Sequence, residues 1–190
     1  MTGIKGQGWK HPWLFSFPGR GNPVTAEEII RKLGLVPHPE EGGYYRETYR
    51  STERILDAAL PKRYPSSRAF GTAIYYLLTR AGFSELHRLP TDEIFHFYLG
   101  YPVEMLLLHP DGTSETSRLG PDFASGEFPQ LVVHMGTWFG SRVAPGGEFA
   151  LLGTTMAPGF EFADYERGKA AELIRLYPDR EAQIRGLTRE

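Results

Sequence analysis

The chain contains no cysteine. That excludes disulfides and thiolate-bound metals, so any metal would have to be held by His, Asp or Glu. It also suits a reducing compartment. No apolar run approaches the roughly 20 residues of a membrane-crossing helix. The opening segment MTGIKGQGWKHPWLFSFPGRGNP lacks the continuous apolar stretch of a secretory leader, so a cytoplasmic location is expected. Neither sign of charge is in excess: 21 Lys and Arg stand against 23 Asp and Glu, for a net charge of -2. This balance offers no electrostatic footing for nucleic acid or an anionic membrane, and neither is expected as a partner. Internal repeats and low-complexity tracts are absent as well.

What is present suffices for one well-filled domain: 190 residues, 41% of them hydrophobic. Residues 1–24 are broken by Gly and Pro and read as an irregular arm. Trp9, Trp13, Phe15 and Phe17 would be costly to leave in water, so packing on the body or on a partner competes with a disordered tail. Residues 25–190 read as the single domain. Thr25 and Glu28 form a capping box, Ile29, Ile30 and Leu33 an apolar stripe, and Gly34 a stop, which predicts a short helix.

From about 42 to 160 the pattern predicts short strands: YYRETYR, AFGTAIYYLL, EIFHFYLG, VEMLLLH, PQLVVHMG and EFALLGTTM. Turn formers such as HPDG and APGG separate them. Many short strands without intervening helices indicate an all-β sandwich or barrel of two antiparallel sheets. Helical period returns at about 162–188, with Pro178 dividing two C-terminal helices. The arm and the YYRETYR segment offer apolar area and a sheet edge, so a homodimer is expected.

The stretch SELHRLPTDEIFHFYLG carries the chemistry. Its spacing resembles the first cupin motif, G-x5-H-x-H-x(3,4)-E-x6-G, with His87, Glu93 and Gly100 in place. Leu89 stands at the second His position, and Gly82 lies one residue too close. The second cupin motif matches VVHMGTWFGSRV weakly: Gly136 fits, while His134, Phe139 and Val143 stand at its Pro, His and Asn positions. A closer resemblance, from about Leu33 to Tyr177, rests on HPEEGGYYRETYRS, FSELHRLPTDEIFHFYLG, PQLVVHMGTW and APGFEFADYE. In that order they look like the signatures of the cupin family known as DUF985 or Cupin_5. The resemblance implies a cupin jelly-roll barrel, usually dimeric, with an internal pocket. It implies no established reaction.

Cupin metal sites commonly use three His and one Glu, and here Leu89 and Phe139 offer no donor. No cofactor is therefore expected, with a divalent metal on His87, Glu93 and His134 as the alternative. Without a metal, His87 and Glu93 form a possible proton-transfer pair, since a neighbouring carboxylate orients an imidazole and favours its charged form. Metal-free cupin epimerases pair a His base with a Tyr acid. Alternation sends only one of Tyr75 and Tyr76 inward, and Tyr75 is preferred. Ser84, Arg88 and Gln130 could bind a polar ligand, with Phe95 and Trp138 as flat walls.

Each has a structural alternative: a satisfied buried hydrogen bond for His87 and Glu93, ion pairs for Arg88 with Asp92 and Arg46 with Glu47, and core for Phe95, Phe97 and Trp138. His38, His96 and His109 are read as structural. Function stands between a metal-independent epimerase- or isomerase-like enzyme on a small polar or sugar-like ligand, a non-catalytic binder acting as sensor or carrier, a metal-dependent cupin enzyme and, last, a storage protein.

Overall fold

The computed structural model describes residues 24–189. The expected arm, with its four aromatic residues, lies outside them apart from Val24. Helix α1, Ala26–Leu33, begins where the capping box places it. The Thr25 hydroxyl accepts the Glu28 N–H at 3.2 Å, and the Glu28 carboxylate accepts the Thr25 N–H at 3.0 Å. Gly34 ends it at φ 63°, a left-handed geometry that costs a glycine little.

Among the described residues thirteen strands follow: β1 Val36–Pro37, β2 Tyr44–Arg50, β3 Arg54–Ile55, β4 Arg68–Ala69, β5 Thr72–Thr79, β6 Ser84–Arg88, β7 Glu93–Gly100, β8 Val103–Leu108, β9 Ser114–Leu119, β10 Gln130–Val133, β11 Trp138–Val143, β12 Phe149–Met156 and β13 Glu166–Arg167. Helices α2, Ala170–Leu176, and α3, Glu181–Arg185, close the described chain. The strands build a six-stranded sheet, β1-β2-β5-β12-β7-β10, and a five-stranded sheet, β13-β6-β11-β8-β9, with β3 and β4 as a small hairpin. All these pairings are antiparallel. This is the expected all-β jelly roll of two sheets with short flanking helices.

Helices cover the outer faces. Ile29 of α1 packs with Leu35, Leu77 and Phe149 on the six-stranded sheet. On the other side Leu173, Tyr177, Ile184 and Leu187 cover Leu86, Leu106 and Leu108. Each such side chain, fully buried, contributes roughly 1.5–3 kcal/mol. Between the sheets alternation sets what faces inward. On β5 these are Thr72, Ile74, Tyr76 and Leu78; on β7, Glu93, Phe95 and Phe97; on β12, Ala150, Leu152, Thr154 and Met156. The larger apolar members fill one end of the barrel, and the polar and shorter ones leave a cavity at the other.

Several strands differ from the expected set, β11 (WFGSRV) among them. AFGTAIYYLL is not one strand: β4 pairs with β3, and only β5 enters the large sheet. The strands SELHR and SETSRL carry no apolar alternation, yet both form. β6 is buried between β11 and β13 with its polar side chains paired, while β9 is an edge strand with exposed residues. The YYRETYR strand pairs along its length with β5 but meets β1 only at Tyr44 and Tyr45, leaving most of its other edge open.

Candidate functional site

His87 stands near the end of β6, directly opposite Phe139 on β11. Its ring is 1% exposed, 4.1 Å from the Phe139 ring and stacked at 4.8 Å on Tyr165. The Nδ1–H donates to the Glu85 carbonyl at 2.6 Å, which fixes the tautomer and leaves Nε2 as the basic nitrogen. Nε2 lies 3.9 Å from the Glu41 carboxylate. The other Glu41 oxygen accepts a short hydrogen bond from the Ser84 hydroxyl.

Glu41 reaches this place through a tight loop, His38–Gly43. Gly42 and Gly43 have φ of 100° and 68°, and a Cβ on Gly42 would lie 2.5 Å from the Phe83 carbonyl. The Glu41 carbonyl accepts the Glu85 N–H at 2.9 Å, stitching the loop to β6. His38 turns its Nδ1 to accept the N–H groups of Glu41, at 2.9 Å, and Glu40, at 3.3 Å, so its Nε2 carries the proton. Burial lowers the His38 pKa, with the Glu41 charge pulling it back and His87 lowering it further, so His38 stays neutral.

These groups open onto a cavity of about 250 Å³ between the sheets, also lined by Leu89, Glu93, Thr154, Tyr45, Arg50, Phe160, Phe162 and Tyr165. Glu93 is 7% exposed. Burial, with the Glu41 charge second, pushes its pKa up to about 8 against the pull of the Thr154 hydroxyl, so it carries its proton at neutral pH. The Tyr165 hydroxyl is buried with no hydrogen-bond partner among the described residues. Burial first, then the charges of Glu41 and Glu85, raise its pKa, with Arg167 opposing. Tyr165 is held by its neighbour Asp164, which forms a fully buried bidentate pair with Arg68. Breaking such a pair leaves an uncompensated charge, so the wall is firmly fixed.

The expected site residues divide. His87, Glu93 and Ser84 are brought together, Ser84 through Glu41. Tyr75 is on the outer face of its strand, packed near Tyr98, and Tyr76 is the inward one, its hydroxyl donating to the Gly42 carbonyl at 2.9 Å. The pleat gives neighbouring residues opposite faces, so the preference for Tyr75 is corrected. Arg88 points out of the barrel, over the Trp138 ring at 4.5 Å and paired with Glu166, not Asp92. Trp138 itself packs under the C-terminal helices. Phe95 is core, in contact with Phe139. Gln130 is exposed and bonds His96 at 3.3 Å on the outer face. Arg46 bonds the Leu33 carbonyl, while Glu47 pairs with Arg50.

The missed members are His38, Glu41, Glu47, Arg50 and Tyr165. His38, read as structural, lines the cavity. All five lie inside HPEEGGYYRETYRS and APGFEFADYE, where no catalytic or metal-ligand spacing singles them out.

The residues present do not fit the cupin four-ligand metal site. Leu89 lines the cavity where the second His would stand, and Phe139 faces His87 where the third would. His134 is exposed and lies 3.5 Å from Asp92, away from the cavity, because the turn before β11 carries it outward. Among the described residues no group of three His, Asp or Glu is arranged to hold a metal. Also among them, no helix is long and apolar enough to cross a membrane.

Residues 27–168 match the model of the Cupin_5 family, described as Cupin superfamily (DUF985). The chain is 28% identical over 173 residues to the uncharacterized protein YML079W of Saccharomyces cerevisiae, covering 85% of each. Two solved structures are similar over 88% of this chain, each with a TM-score of 0.78. One is protein SO0799 of Shewanella oneidensis, 35% identical and covered to 99%; the other is a hypothetical protein of Leishmania major, 33% identical and covered to 100%.

Proposed function

Because the chain belongs to the Cupin_5 (DUF985) family of the cupin superfamily, we propose that it binds a small polar molecule in the cavity and moves a proton on it without a metal, in the manner of an isomerase or epimerase. The observation that carries this is the His87 imidazole: buried, held in one tautomer, with its basic Nε2 turned toward Glu41. A base so placed can take a proton from a C–H beside a carbonyl, and Glu41 stabilises the imidazolium that forms. Glu93, carrying its proton, is suited to donate a hydrogen bond to the developing enolate oxygen. Isomerisation follows when Glu93 passes its proton to the enolate oxygen and takes one from the neighbouring hydroxyl, while His87 returns its proton to the former carbonyl carbon. Reprotonation of the same carbon from its other face by water, with His87 releasing its proton to solvent, gives epimerisation.

The test is proton exchange in D2O, followed by NMR over a panel of small aldoses, ketoses and amino sugars. Exchange at a carbon next to the carbonyl is expected, resistant to chelator. His87→Gln should slow it by roughly 10²–10⁴-fold while changing affinity only a few-fold. Binding without exchange in the wild type would leave a carrier or sensor as the reading. Exchange that vanishes with chelator would restore the metal-dependent one.

A further inference from the structure

The charges around the cavity are unequally matched. Among the described residues that line it, Arg50 is the one arginine or lysine, and its guanidinium is already engaged. Glu47 takes two of its N–H groups at 3.0 and 2.8 Å, Glu161 a third at 3.0 Å, and the Phe160 carbonyl a fourth at 3.0 Å. Glu41 has no such partner. Its carboxylate meets the Ser84 hydroxyl and His87 Nε2, while Arg189 touches only its backbone carbonyl. If His87 takes up a proton the two charges cancel; if not, the cavity keeps a negative charge. In neither case is a cation left over for an anionic ligand. Tyr45, Phe160 and Phe162 add aromatic surface to the wall, and the negative faces of such rings attract cations. The hydroxyls of Thr72 and Thr154 add hydrogen-bonding groups to the lining.

We propose that the cavity takes a small amine-bearing, hydroxyl-rich molecule as its ammonium ion, the charge against Glu41 and the carbon skeleton across the aromatic wall. This rests on the reading of the cavity as a ligand site and narrows the class of ligand. Carboxylates and phosphate esters are excluded, because each would be stripped of water beside Glu41 with no free counter-charge.

The test uses three isosteric probes that differ in charge at neutral pH: glucamine, sorbitol and gluconate. Calorimetric titration of the full chain should rank glucamine first, by roughly 10- to 100-fold over sorbitol, with gluconate weakest. Glu41→Gln keeps an acceptor for Ser84 and should collapse the glucamine advantage to a few-fold. The proposal is overturned by gluconate binding as well as glucamine, by equal binding of all three, by an advantage that survives Glu41→Gln, or by no binding of glucamine. Exchange activity reports separately. Ammonium preference without exchange defeats the proton-transfer reading alone, and exchange on neutral or anionic molecules without the preference defeats this one alone.

Discussion

On strand β7, Glu93 and Phe95 are two residues apart, face the same way and are both buried, 7% and 2% exposed. Phe95 packs on Phe139 in the apolar end of the barrel; Glu93 lines the cavity at the other. The same contrast runs along β12, where Ala150 and Leu152 lie at the apolar end and Thr154 and Met156 at the cavity. Burying an aromatic ring stabilises the fold, whereas burying a carboxylate costs several kcal/mol unless it is paired or keeps its proton. Glu93 keeps its proton. Burial therefore serves opposite purposes at the two ends: stability at one, and at the other a group whose ordinary ionisation has been suppressed.

The contrast breaks most visibly at the apolar end. Phe95→Ala should cost about 3–5 kcal/mol of stability, read by urea unfolding, because it opens a cavity among Phe139, Leu152 and Val133. A loss below 1 kcal/mol would mean that this end is loosely packed. At the cavity end the effect depends on pH. Glu93 ordinarily titrates at 4.5 but holds its proton to about 8 in the folded chain. Over that window the folded state binds a proton that the unfolded state has lost, so stability falls as pH rises through it and levels off above.

Glu93→Gln should remove this decline. It should overtake the wild type toward pH 8 by on the order of a few kcal/mol relative to their difference near pH 4. Equal pH dependence for the two proteins would show that Glu93 ionises normally. The smallest effect sharpens the comparison from outside both ends. Thr25→Ala removes the α1 cap on the outer face and should cost about 1 kcal/mol, with the pH dependence of Glu93 unchanged. A shift in that dependence would mean that α1 and the cavity are coupled.

Much of the architecture followed from local pattern. Thr25, Glu28 and Gly34 bound α1, and Pro178 divides the C-terminal helices, because caps and breakers act over a few residues. Apolar alternation marked the six-stranded sheet, whose faces lie between core and helix. It missed SELHR, where Glu85 is buried against Arg189 at 2.7 Å and Arg167 at 3.5 Å, partners distant in the chain. It also missed SETSRL, an edge strand with no hydrophobic face to show.

The site divides along the same line. His87 and Glu93 could be picked out because a motif fixes their spacing on strands consecutive in the chain, one in each sheet, and the hydrocarbon at Leu89 and Phe139 could be read directly. The all-β class and the balanced charge likewise follow from composition and period, which need no knowledge of what lies across the barrel. Folding chose Tyr76 over Tyr75 for the interior, engaged Arg50 with Glu47 and Glu161, and carried His134 to the surface. It also set Glu41 and Tyr165, from opposite ends of the chain, around one imidazole. Those outcomes depend on pleat phase, loop path and cross-sheet contact, and the pKa of Glu93 depends on them in turn, since burial and a neighbouring charge exist only once the barrel has closed.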